Sequence, residues 1–250
     1  MNEQITPLIA GNWKMNGTAA SLAEVRRLAE LIAHGEAPRC TIVICPPATL
    51  IAQMTAEASS GGIVSGGQDC HPGVSGAHTG DISAGMLADV GAQYVIVGHS
   101  ERRQGHGESD ELVRNKALAV IATGLIPIIC VGETLEEREA GRAVEVVTGQ
   151  LAGSVPGEWG SRGLVVAYEP VWAIGTGVTP TAADIGAMHN AIRGFLVDRF
   201  DKGASVRILY GGSVKPGNAH EILRIDNVNG ALVGGASLLA NDFHAIISAV

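Results

Sequence analysis

The stretch AYEPVWAIGTG, Ala167–Gly177, decides how the rest of the chain is read. Leu164 to Ala167 is a short apolar run, Glu169 and Pro170 end it, and small and apolar residues with two glycines follow. The order is a buried strand, a carboxylate at its carboxyl end, and a glycine-hinged loop. Such an order sets a base beneath a movable segment. An ordinary strand-to-helix loop with a capping acid has the same outline, so the neighbouring sequence has to separate the two.

The same form recurs along the chain. Short β-rich runs predict strands at Leu8–Asn12, Thr41–Cys45, Ile63–Gly66, Tyr94–Val97, Ile126–Val131, Leu164–Ala167, Arg207–Leu209 and Gly230–Val233. Most are continuously apolar and do not alternate, as parallel strands covered on both faces are. Amphipathic patterns between them predict helices at Ser21–His34, Ala48–Ser59, Ser83–Val90, Ser109–Thr123, Leu135–Leu151, Ala182–Phe200, Asn218–Arg224 and Asn241–Ala249. Thr181 with Asp184 resembles a capping box, and Ser109 precedes two acids suited to a helix amino terminus. Eight strand–helix pairs give a repeat of roughly 30 residues, the size of a βα unit. No linker rich in Pro, Ser or charge divides the chain, so residues 1–250 are expected to form one domain. Eight such units in succession close most naturally into an α/β fold, the (β/α)8 or TIM barrel, with active-site loops at the carboxyl ends of the strands. A doubly wound open sheet is the alternative.

Composition bounds the function. The chain is 46% hydrophobic but only 4% aromatic, so aliphatic side chains and glycine must build the core. Its 34 glycines stand singly or in pairs after apolar runs, where they mark turns and close backbone approaches. A formal charge of -8 argues against nucleic acid, whose phosphate backbone demands a basic stripe. A small phosphate stays compatible, because loop amides and one lysine suffice to hold it. The amino terminus lacks a basic region followed by a long apolar stretch, and no window approaches the ~18 apolar residues of a membrane span. Cys40, Cys45, Cys70 and Cys130 have no metal-ligand spacing and read as reduced thiols of a cytoplasmic protein.

The polar residues after each strand carry the chemistry. After the first comes GNWKMNG, Gly11–Gly17; Asn12 and Lys14, two apart on an extended segment, point to one side. Asn12 can donate hydrogen bonds, and Lys14 can neutralise an anion; a solvated lysine at a strand end is the plain alternative. After the fourth comes VGHSERR, Val97–Arg103, where His99 stands before a helix start that disfavours imidazolium. A structural histidine fits that position too, with Ser100 and Glu101 capping and pairing. After the seventh and eighth come YGGSVKPGN, Tyr210–Asn218, and LVGGASL, Leu232–Leu238, whose paired glycines let backbone N–H groups approach an anion. Those last two loops are where barrels commonly hold phosphate. No HxxxH or clustered-carboxylate metal pattern appears, and no GxGxxG follows the first strand, so neither metal nor dinucleotide cofactor is expected.

GNWKMNG, GAHTGDIS, VGHSERR, AYEPVWAIGTG, YGGSV and VGGASL, in this order and spacing, resemble the triosephosphate isomerase family from about Ile9 to Leu239. The resemblance implies an aldose–ketose isomerase of glycolysis and gluconeogenesis acting on a triose phosphate. It implies Glu169 as general base and His99 as a neutral electrophile. Lys14 would stabilise the enediolate and the phosphate charge, and Asn12 would bond substrate oxygens. Amides of Gly175, Ser213, Gly234 and Gly235 would hold the phosphate under a lid at Ala173–Gly177. Glu101 and Cys130 match supporting positions. The third loop, Gln68–Ser83, would join a homodimer, Thr79 supporting the partner's Asn and Lys. Val178 stands where many relatives carry lysine, Pro180 restricts the far hinge, and His78 stands where many place phenylalanine. Another phosphosugar isomerase or epimerase on this barrel should lack the Asn12/Lys14/His99/Glu169 set. A non-catalytic phosphosugar-binding homologue should have lost the base or the electrophile.

Overall fold

The computed structural model describes residues 5–58, 62–174 and 180–250. Among them eight strands, β1 (Leu8–Asn12), β2 (Thr41–Cys45), β3 (Ile63–Gly67), β4 (Tyr94–Val97), β5 (Ile126–Val131), β6 (Val165–Tyr168), β7 (Arg207–Tyr210) and β8 (Gly230–Val233), pair in sequence order. Every pairing is parallel, and β8 closes on β1. The helices are α1 (Leu22–His34), α2 (Ala48–Ala58), α3 (Ala84–Asp89), α4 (Ser100–Gly105), α5 (Asp110–Ala122), α6 (Leu135–Glu139), α7 (Ala143–Ser154), α8 (Ala182–Arg199), α9 (Ala219–Ile222) and α10 (Ala240–Ile247). The closed barrel excludes the open sheet.

The continuous apolar runs have a simple origin. Alternate residues of one strand serve two cores. Leu8, Ala10, Val43, Ile96, Ile128, Ala167 and Leu209 fill the barrel interior. Ile9, Ile44, Val97, Ile129, Val166 and Ile208 face outward against the helices. Burying each such side chain contributes about 1.5–3 kcal/mol, so a mainly aliphatic core holds the barrel, with Tyr94 the one aromatic in the interior cluster among the described residues.

Three strands differ from expectation by one residue: β3 reaches Gly67, β6 is shifted at both ends to Val165–Tyr168, and β7 reaches Tyr210. Tyr168 and Tyr210 are register partners, so pairing carries both strands one residue further. Glu169 is therefore the first residue beyond β6. The helix expected over Leu135–Leu151 is two helices. Thr134 and Glu137 cap α6 reciprocally; Gly141, at φ +70°, then takes the left-handed conformation that ends a helix, and α7 begins at Ala143. Both expected caps are present, Thr181 with Asp184 on α8 and Ser109 on α5. Among the described residues, no helix is long and apolar enough to cross a membrane.

Candidate active site

Glu169 is fixed from both sides. Its N–H donates to the Val131 carbonyl at the end of β5 (2.8 Å), and the Gly211 N–H donates to the Tyr168 carbonyl (2.7 Å). At Gly211 a Cβ would stand 2.9 Å from Glu169 Cγ, so only glycine lets the side chain turn inward there. Glu169 is 1% exposed. Ser100 donates to it twice, from its N–H to Oε2 (2.9 Å) and from its hydroxyl to Oε1 (3.2 Å). His99 Nε2 lies 2.9 Å from Oε1. Burial opposes ionisation, while the hydrogen bonds from His99 Nε2 and Ser100 favour it and draw the Glu169 pKa below the usual carboxylate value.

Two influences on His99 conflict. Burial lowers its pKa, yet contact with the Glu169 carboxylate pushes it above the usual imidazole value. The bonding of the ring decides. His99 caps α4, and its Nδ1 accepts the Glu101 N–H at 3.2 Å. A proton on Nδ1 would break that bond and set two N–H groups against each other. The Glu101 carboxylate, 3.6 Å from Nδ1, is already engaged by Lys14. The assignment is thus a neutral ring carrying its proton on Nε2, directed at the carboxylate.

Asn12 and Lys14 share a cleft, though not by extended geometry. Lys14 has φ 54°, a left-handed conformation, because Asn12 Oδ1 accepts the Lys14 N–H (3.0 Å) and turns the chain at the end of β1. Trp13 is thereby freed to bury its ring and donate from Nε1 to the Ser237 carbonyl. Lys14 Nζ pairs with Glu101 at 2.7 Å, an ion pair open enough to water to contribute at most about 1 kcal/mol. Its Cε passes 3.7 Å from the place a Gly234 Cβ would take.

Asn12, Lys14, His99 and Glu169 line one cleft of about 300 Å³ together with Gly211–Lys215 and Gly234–Ala236. Ser213, Gly234 and Gly235 are in it, as is Ile174 of the lid; the rest of the lid, Gly175–Gly177, and Val178 and Thr179 of the far hinge lie outside the described residues. Cys130 is fully buried on β5, and burial together with the Glu169 carboxylate pushes its thiol well above the ordinary range. Cys70 is pushed up to about 12, so both are inert neutral thiols. Thr79 is exposed on the third loop and does not line the cleft.

Two contributors escaped the sequence reading. Ser100 is a direct double donor to the carboxylate and more than a helix cap. Gln68, noted only as a loop boundary, donates from Nε2 to the carbonyls of Lys14 (2.8 Å) and Cys45 (2.9 Å), tying the lysine turn to β2. His71, His78 and Asp81 bring potential metal-ligand atoms within 4.8 Å of one another on the third loop, away from the cleft. There His71 Nδ1 accepts the Gly73 N–H (2.9 Å), which commits its other nitrogen to a proton.

A model of the triosephosphate isomerase family matches residues 7–250. The triosephosphate isomerase of Afipia carboxidovorans is 59% identical over 251 residues, covering 100% of this chain and 99% of the relative. That of Ruegeria sp. strain TM1040 is 58% identical over 245 residues, 97% of each chain. The crystal structure of triosephosphate isomerase from Bartonella henselae matches with a TM-score of 0.91 at 48% identity, over 98% of this chain and 99% of that one.

Proposed function

The chain belongs to the triosephosphate isomerase family, and from that premise we propose how its own residues carry the reaction. The activity is that of the family, interconversion of dihydroxyacetone phosphate and D-glyceraldehyde 3-phosphate. One observation carries the assignment of roles: a buried, ionised carboxylate, a neutral ring N–H and a lysine converge on a cleft floored by two glycine loops. Moving a proton α to a carbonyl requires a base, a donor to the developing oxyanion and a counter-charge.

Glu169 takes the proton from one carbon and returns it to the next, passing through an enediolate. Both its oxygens are engaged by Ser100 and His99 in the structure, so it must release both to reach a carbon. His99 Nε2–H is then free to donate to the substrate oxygen. Asn12 steers the oxygens, and Lys14 offsets the enediolate and phosphate charge. The phosphate sits against Ser213, Gly234 and Gly235, where no Cβ blocks the glycine amides. Gly175 and the lid to Gly177 would complete the enclosure and keep out water. Purified protein assayed in both directions with a chelator and no nucleotide should turn over undiminished; activity that vanishes with the chelator overturns this metal-free scheme.

We also infer a homodimer through Gln68–Ser83. Val74 in this loop, Met86 in α3 just beyond it, and Met15 beside the Lys14 turn that Gln68 anchors are 87%, 56% and 97% exposed. Apolar side chains so exposed around one loop suit a covered face, and Thr79 would reach the partner's Asn12 and Lys14. A fully active monomer by size exclusion with light scattering would sink this. A single domain over residues 1–250, a glycolytic and gluconeogenic role, and placement in the cytoplasm, where four free cysteines stay reduced, complete the proposal.

A further inference from the structure

We infer that Gln150 is a positioning residue for Glu169, acting through the main chain of Gly132; the inference rests on the reading of Glu169 as the base. Gln150 reaches from α7 to the residue just beyond β5. Its Oε1 accepts the Gly132 N–H (2.8 Å), and its Nε2 donates to the Gly132 carbonyl (3.0 Å). One side chain thus holds both peptide groups flanking Gly132, as a neighbouring strand would. The pairing also fixes which end of the amide is oxygen.

The other side of Gly132 bears on the base. A Cβ there would overlap the Glu169 carbonyl, so the two main chains are in direct contact. Val131 accepts the Glu169 N–H (2.8 Å) and Glu133 accepts the Val171 N–H (3.2 Å). Residues 131–133 are therefore the bed on which Glu169 lies, and Gln150 grips the middle of that bed. The grip matters because the bed is not otherwise filled in. A cavity of about 160 Å³ lies between them, lined among others by Ser100, Arg103, Gly132, Gln150 and Glu169. Without the amide, Gly132 and the Glu169 main chain have that space to shift into. Displacement by about 1 Å at a reacting group costs on the order of 10²-fold in rate, and part of that is expected here. Nothing in this linkage touches the glycine loops of the phosphate end.

Gln150→Met keeps the length and removes both bonds. The expected kcat falls about tenfold, while KM and inhibition by inorganic phosphate stay unchanged. The acid limb of kcat/KM moves to higher pH, because a displaced carboxylate loses its Ser100 and His99 alignment. A folded variant with unaltered kcat and pH profile overturns the inference, as does a parallel loss of phosphate affinity, which marks general loosening. The effect must also vanish on a Glu169→Gln background, since coupled residues are not additive; a loss persisting there rules out action through Glu169. Near-normal turnover of Glu169→Gln alone would instead strike the base assignment and leave the clamp to be judged by its pH profile. If the Met variant does not fold, Gln150→Glu, which keeps the acceptor for the Gly132 N–H but opposes its carbonyl, is scored by the same readouts.

Discussion

Glu169→Gln lowers kcat by about 10²–10⁴-fold, the range that a positioned general base supplies. The amide is isosteric and remains close to the Ser100 hydroxyl and His99, so the fold and the phosphate end persist. Inhibition by inorganic phosphate should stay within about twofold. The acidity of the base sets the pH dependence. Its folded pKa lies below the usual carboxylate value, so wild-type kcat/KM should hold down to a pH below that value and fall only as the carboxylate protonates. The sign for stability follows from the same shift. A depressed folded pKa contributes stability present above the unfolded value and lost as pH falls through the folded one. Stability of the Gln variant should therefore decline less steeply on the acid side. Steady-state kinetics with thermal unfolding across that pH window checks both; a variant with near-normal kcat refutes the assignment.

How much of this was legible in the sequence depends on the range of each interaction. The barrel was, because the strands serve an inner and an outer core and so most read as continuous apolar runs, as Tyr94–Val97 and Ile126–Val131 do. Strand ends slipped by one where pairing extends them, at Tyr168 against Tyr210. The break between α6 and α7 lay in plain view at Gly141, but a single glycine inside a helical pattern is also tolerated.

The cleft was legible as a set of loop residues and not as a geometry. The Lys14 turn depends on whether Asn12 Oδ1 bends back to the chain, and an isolated Asn-x-Lys gives no sign of that. Ser100 looked like a cap because its bonds to Glu169 join residues 69 apart. Gln150 stands on an amphipathic helix, where a glutamine reads as solvated surface until the end of β5 is laid beside it. A neutral His99 was suggested by the helix start after it, and the accepting Nδ1 gives that suggestion a bond.

Lys14→Met isolates charge from structure, because what holds position 14 in place does not involve its ammonium. The left-handed backbone is kept by the Asn12 Oδ1 bond to the Lys14 N–H and by the Gln68 bond to the Lys14 carbonyl, both to main chain. The surrendered partner, Glu101, has a side chain 57% exposed, so leaving it alone strands no buried charge. Stability should change by less than about 1 kcal/mol. Catalysis should not be spared, since the cation is the counter-charge to both the enediolate and the phosphate. A loss of about 10²–10³-fold in kcat/KM is expected, the scale of removing one preorganised stabilising group. Inhibition by inorganic phosphate should weaken, and its salt dependence should flatten, because the variant has one fewer positive charge in the cleft. Phosphate inhibition that is unchanged in strength and in salt response would show that the Glu101 pair already neutralises Lys14, and that the cleft holds its anion through the glycine amides alone.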